Sequence, residues 1–132
     1  MDRFILIIVL FLTIDLSAQS LKVAENYMDQ GEIEKARALY AKLYEKNPAS
    51  RKIALSYVDA LIQVEDLQKA EKTLKVYVKD RQKPVAMVVL GHVHTLKNES
   101  QQADIWYEKA INLIEENPYF GFSIGKKFEE YG

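Results

Sequence analysis

The sequence has no cysteine. That excludes a disulfide framework, a thiol nucleophile, thiolate zinc sites and iron–sulfur clusters. It also excludes lipid attachment on a cysteine behind a leader. Proline and glycine are scarce, at three and five residues, too few for a linker-rich chain. Charge of one sign is lacking as well. Lys plus Arg is 18, Asp plus Glu is 19, and the sequence pI is about 6.1. A nucleic-acid binder needs a basic face for phosphates, and this balance offers none. Histidine occurs twice, as His92 and His94. On a helix an i, i+2 pair points about 200° apart, so the two do not chelate one ion as an i, i+4 pair does. No H-E-x-x-H, G-x-S-x-G, G-x-x-x-x-G-K-S/T or G-x-G-x-x-G pattern is present. Glu115-Glu116 and Glu129-Glu130 read as solvated helix faces, because nothing beside them separates their acidities. No catalytic residue, cofactor or metal is expected. What is present is 132 residues, 48% of them apolar, enough for one globular domain.

The apolar residues are unevenly spread. Residues 4–12 read FILIIVLFL, after Met1-Asp2-Arg3 and ahead of Leu16-Ser17-Ala18-Gln19. A short charged start, an apolar stretch and a small residue at the cut are the layout of a secretory signal peptide. The run is too short to span a bilayer, which needs about 20 apolar residues. Residues 1–18 are therefore expected to be a signal peptide cut after Ala18. Its removal takes away Asp2, Arg3 and Asp15 and leaves 17 basic and 17 acidic residues.

The rest repeats itself. Ala36, Ala70 and Ala103 lie 34 and 33 residues apart, and each is followed four places on by Tyr40, Leu74 or Tyr107. Ahead of each alanine comes a pair, Val23-Ala24, Tyr57-Val58 or Leu90-Gly91. A larger residue follows three places on, at Tyr27, Leu61 and His94. Pro48, Pro84 and Pro118 fall at the seams. Ile33, Ala36, Tyr40, Leu43 and Tyr44 recur at three- and four-residue steps, the spacing of one helix face. Leu67, Ala70, Leu74, Tyr77 and Val78 do the same, as do Ala103, Tyr107, Ala110, Ile111 and Ile114. Gly31 can end a helix in the left-handed conformation, and Asn98 is its equivalent. Asp66 and Ser100 are N-caps for the helices that start beside them. Asn47-Pro48 and Asn117-Pro118 pair a cap with a first-turn proline. The pattern predicts seven helices, near 20–30, 33–46, 51–64, 67–80, 85–97, 100–116 and 118–131.

A period of 34 with L-G-x-x-Y, A-x-x-x-F and a closing proline resembles the tetratricopeptide repeat. The resemblance covers about residue 20 to the end, with the middle unit degenerate at Val58 and Glu65. It implies an all-α fold, a right-handed α-solenoid of helix-turn-helix repeats. Residues 19–132 then form one repeat domain with units at about 19–50, 51–83 and 84–117, and the first helix of a fourth at 118–132. That last helix carries Tyr119, Phe120, Phe122, Ile124, Phe128 and Tyr131, an unusually apolar end for a solenoid. Three readings stay open for it: the chain is part of a longer protein, it self-associates through 118–132, or the helix is an aromatic cap.

In this family the first helix of each pair lines a concave groove for a peptide or a partner helix. The resemblance places Leu21, Glu25, Met28 and Asp29 there, then Leu55, Asp59, Ile62 and Gln63. Val88, His92, Thr95 and Leu96 come next, and then Phe122 and Lys126. The family's carboxylate clamp of Lys and Asn is missing, since Leu21 and Glu25 stand in its place. The expected function is a non-catalytic protein-binding scaffold outside the cytoplasm, in a periplasm or cell envelope, or secreted. Its partner is a protein or peptide, with no nucleic acid or metal, and it meets membranes only through envelope partners. The alternative is the N-terminal module of a longer envelope enzyme, for example a peptidase.

Overall fold

A computed structural model of the chain describes residues 17–79 and 82–132. The apolar run at 4–12, which carries the signal-peptide expectation, lies outside the described residues. Among the described residues there are seven helices and no strand. They are α1 (residues 17–29), α2 (Ile33–Lys46), α3 (Arg51–Gln63) and α4 (Leu67–Val78), then α5 (Pro84–Leu96), α6 (Ser100–Glu116) and α7 (Phe120–Tyr131). The fold is an all-α solenoid of helical hairpins. None of these helices is long and apolar enough to cross a membrane.

Each hairpin turn is built the same way. Gly31, Glu65 and Asn98 have φ of 75°, 60° and 60°, the left-handed conformation, and Gly132 repeats it at 84°. Behind each of the first three, the next backbone N–H reaches back along the helix just completed. Glu32 N donates to Tyr27 O at 2.8 Å, Asp66 N to Leu61 O at 2.9 Å and Glu99 N to His94 O at 2.9 Å. Gly31, Glu65 and Asn98 themselves donate to the carbonyls of Met28, Ile62 and Thr95. This is the Schellman ending, which satisfies the last helical carbonyls and turns the chain back. Asp66 then caps α4, its carboxylate accepting from Lys69 N at 3.2 Å.

Three local expectations are corrected. Glu99, not Ser100, is the N-cap of α6, and its side chain makes no capping bond. Pro48 and Pro118 sit in turns ahead of α3 and α7 rather than at their first residue. Ahead of α7 the Asn117 amide oxygen accepts from Tyr119 N at 3.2 Å, an Asx turn that delays the helix. Pro84, by contrast, opens α5, where its fixed φ and missing N–H are no handicap.

The chain divides into two compact units, one ending at Ala60 and one running from Leu61 to Gly132. In the first, Ala24, Ala36, Tyr40, Leu43, Ala54 and Tyr57 are buried, and the Tyr44 and Tyr57 rings meet at 5.5 Å. In the second, α5 is the central helix and packs on α4, α6 and α7. Its buried Val85, Ala86, Val88, Val89, Leu90 and Val93 are apolar nearly all round, as an enclosed helix must be. At Gly91 the Tyr107 ring of α6 lies against the backbone of α5. A Cβ there would lie 2.4 Å from Cε1 of Tyr107. The helix α7 docks by Ile124, which joins Val88 and Ala110, with Phe120, Phe128 and Tyr131 packed against that cluster.

Candidate functional site

Within the first unit, Glu25, Met28, Asp29, Tyr40, Ser56 and Asp59 converge on a cleft of about 190 Å³. Three successive helices bring them together: α1 supplies the first three, α2 the tyrosine and α3 the last two. Their spacing explains the gathering. Glu25, Met28 and Asp29 are three and four residues apart, so they share one helix face, and Ser56 and Asp59 do likewise. Tyr40 forms the floor at 2% exposure. Its hydroxyl is bonded to Ser56, while burial, the largest effect, and the carboxylates of Glu25, Asp59 and Asp29 raise its pKa. Three carboxylates around the tyrosine favour a cationic group, and Lys52 already holds Glu25 at 2.6 Å.

Within the second unit, Thr95 lines another cleft, of about 490 Å³, with Asn98, Ser100, Ala103, Asp104 and Tyr107. The Thr95 hydroxyl donates to Gly91 O at 3.2 Å, which leaves the Tyr107 hydroxyl to donate to it at 3.1 Å.

The sequence-derived set is therefore split. Glu25, Met28, Asp29 and Asp59 share the first cleft and Thr95 lines the second. Leu21, Leu55 and Ile62 are half-buried along α1 and α3, and Gln63, Leu96, Phe122 and Lys126 are exposed. Val88 is corrected: it is 0% exposed, in the core with Ala110 and Ile124, and faces no partner. The cause is α7, which covers the face of α5 that an unoccupied end would leave open. The same helix covers His92, whose ring stacks on Tyr131 at 3.7 Å, nearly parallel at 4°. Burial, with Lys127 nearby, lowers the His92 pKa. His94 is buried, as its place in the repeat requires.

The sequence pattern does not reveal a cluster around His94. Its Nδ1 lies 2.6 Å from Oε2 of Glu99, and its Nε2 faces Oε1 of Glu71 at 3.9 Å. Lys97 bridges the two carboxylates, 2.6 Å from Glu71 and 2.9 Å from Glu99. Lys75 holds the other oxygen of Glu71 at 2.5 Å. Bonds from Lys75 and Lys97 take the Glu71 pKa down to about 2. No local motif announces the group, because Glu71 is on α4, His94 on α5 and Glu99 in the turn after it. One signal is legible: a histidine where the first two units have Tyr27 and Leu61.

Paired helices with a recurring left-handed turn and small residues at the crossings define a helical-hairpin repeat protein. The chain belongs to the tetratricopeptide repeat family: models of that repeat match residues 27–90 and 85–117. Comparison with curated protein sequences gives no match. Among solved structures the fold is similar to the Yersinia enterocolitica type III secretion translocator chaperone SycD. That likeness has a TM-score of 0.75 at 18% identity and covers 88% of this chain and 87% of that one. PcrH, solved in complex with the chaperone binding region of PopB, gives a TM-score of 0.74 at 13% identity over 87% of this chain and 94% of that one. The first repeat domain of Spaghetti (RPAP3), bound to the HSP90 peptide SRMEEVD, gives 0.66 at 17% over 87% and 92%.

Proposed function

We propose that this protein is a non-catalytic scaffold, acting outside the cytoplasm, that holds a segment of a partner protein against the first helices of its repeats. The observation that carries the reading is the first cleft, where α1, α2 and α3 bring Glu25, Met28, Asp29, Tyr40, Ser56 and Asp59 together. A cleft with three carboxylates, a tyrosine hydroxyl and Met28 suits a segment that presents a Lys or Arg. PcrH with its PopB region, and RPAP3 with its HSP90 peptide, are similar folds solved with a bound partner segment. The export half of the reading rests on the apolar run at 4–12 and the small residue at Ala18.

The test is capture from an envelope extract by the wild-type protein and by Asp59→Lys, with helicity compared by circular dichroism. Asp59 is exposed, so the variant keeps its helicity, and loss of the captured partner is expected. Unchanged capture by a folded Asp59→Lys protein overturns the assignment of the cleft. For export, N-terminal sequencing of the protein from the producing cell is expected to begin at Gln19. A chain that still begins at Met1 removes that part of the proposal.

A further inference from the structure

The His94 cluster has a feature that packing alone does not explain. A carboxylate only accepts hydrogen bonds. The 2.6 Å contact between His94 Nδ1 and Glu99 Oε2 therefore needs the proton on Nδ1. In the neutral ring that leaves a bare lone pair on Nε2. This atom is buried and has no hydrogen-bond partner among the described residues. It faces Glu71 Oε1, a second acceptor, at 3.9 Å. Two acceptors pointed at each other in a buried place are unfavourable unless a cation lies between them.

We propose that His94 Nε2 and Glu71 Oε1 form a binding site for a divalent transition-metal ion of the zinc type, with Glu99 positioning the imidazole. Zinc bonds to imidazole nitrogen and to carboxylate oxygen are each about 2.0–2.2 Å long. An ion between atoms 3.9 Å apart reaches both, at a separation too long for a hydrogen bond. The ring is also arranged as a ligand's ring is. A metal-binding histidine gives its other N–H to a carboxylate, which fixes the tautomer and raises the basicity of the ligating nitrogen. Glu99 takes that part. Glu71, His94 and Glu99 each place a ligand atom within 4.8 Å of the others. With its pKa near 2, Glu71 is ionised at any working pH.

Two lysines compete for the carboxylates. Lys75 occupies the very oxygen the ion would use, but it does so from a half-exposed side chain four residues along α4. Its ammonium swings out into solvent when a divalent ion takes that oxygen. Lys97 holds the opposite oxygen of Glu71 and one of Glu99, so it stays and keeps the two carboxylates from repelling each other. Glu71 and Lys75 also line a surface depression along α4, which gives the Glu71 carboxylate a side open to solvent. Waters complete the coordination.

The experiment is a titration of the full chain with zinc chloride in chelator-free buffer. It is read by calorimetry and by the NMR signals of the two histidine rings. One ion per chain is expected, and it moves the His94 ring signals while those of His92 stay. Lys75→Gln is expected to bind more tightly, because it removes the competing ammonium. Glu99→Gln is expected to bind about 10–100-fold more weakly, and His94→Gln to lose the site. The gain at Lys75, an exposed side chain on α4, keeps the proposal testable should His94→Gln fail to fold. No binding by the wild type or Lys75→Gln, ring shifts at His92 instead of His94, or equal affinity in Glu99→Gln overturns it. A His94 ring that responds only to acid, and not to zinc, overturns it too, since a proton is then the cation.

Discussion

At the residue scale, the repeat keeps some places for geometry and others for size. Glu65 holds the left-handed place that Gly31 holds one unit earlier. An L-residue there is strained by roughly 1–2 kcal/mol, against a smaller entropic cost for glycine. Glu65→Gly is therefore expected to raise stability by about 0.5–1 kcal/mol in a denaturant melt. The same change at exposed Lys72, inside α4, is expected to lower it by about 1 kcal/mol. Gly91 is a place kept for size. An alanine methyl would sit 2.4 Å from the Tyr107 ring, and Gly91→Ala is expected to destabilise by about 1–3 kcal/mol through overpacking. Glu71 adds a pH dependence of known sign. Its pKa falls from the ordinary 4.5 to about 2, first through the bond from Lys75 and then through that from Lys97. The stability it contributes is complete above about 4.5 and is lost as pH falls towards about 2. The gap in melting temperature between wild type and Glu71→Gln should thus close across that window.

At the scale of the helix, α7 decides most of what the second unit presents. Ile124 is its deepest anchor, while Phe122 and the N-cap Tyr119 stand out into solvent. Ile124 is 2% exposed, whereas Tyr119 and Phe122 are 92% and 83% exposed. Ile124→Ala is expected to cost about 2–5 kcal/mol of stability. Phe122→Ser is expected to stay within about 0.5 kcal/mol of wild type. Paired urea unfolding curves measure both. The helices themselves are legible in the sequence, because buried alanines at 36, 70 and 103 and the large residues beside them keep a period no loop reproduces. Their starts are less so. Pro118 reads equally as a first-turn residue or as part of a turn, and the Asn117 side chain chooses the turn. The candidate site is legible only where neighbouring helices each present one face to it. Glu25, Met28 and Asp59 fall into a common cleft because α1 and α3 each present one face. Val88 is misplaced by a reading that treats α5 as the lining of a groove, since α7 takes up that face. The His94 cluster is invisible in the sequence because its members are joined by tertiary packing rather than by spacing.

At the scale of the whole molecule, near-neutral charge and family membership point the same way. A chain with 18 basic and 19 acidic residues has almost no net charge with which to steer a highly charged partner. On the reading proposed above, recognition falls to local features such as the carboxylate-ringed cleft, whose three acids act over a short range. Binding of a basic partner segment is accordingly expected to weaken with salt far less than a phosphate-backbone contact does, a difference that titrations at low and high ionic strength would measure.

Trp106 is the one tryptophan in the sequence, and it lies in the second unit under the ammonium of Lys109, 4.3 Å from the ring centroid. The first unit has only tyrosines as intrinsic fluorophores among its described residues. Light absorbed and re-emitted by the indole therefore speaks for residues after Leu61 alone, while far-ultraviolet dichroism sums every helix. Superimposable melting curves from the two signals would mean that the units lose order as one. An emission change at a temperature of its own would show the second unit yielding independently, in an unlabelled protein.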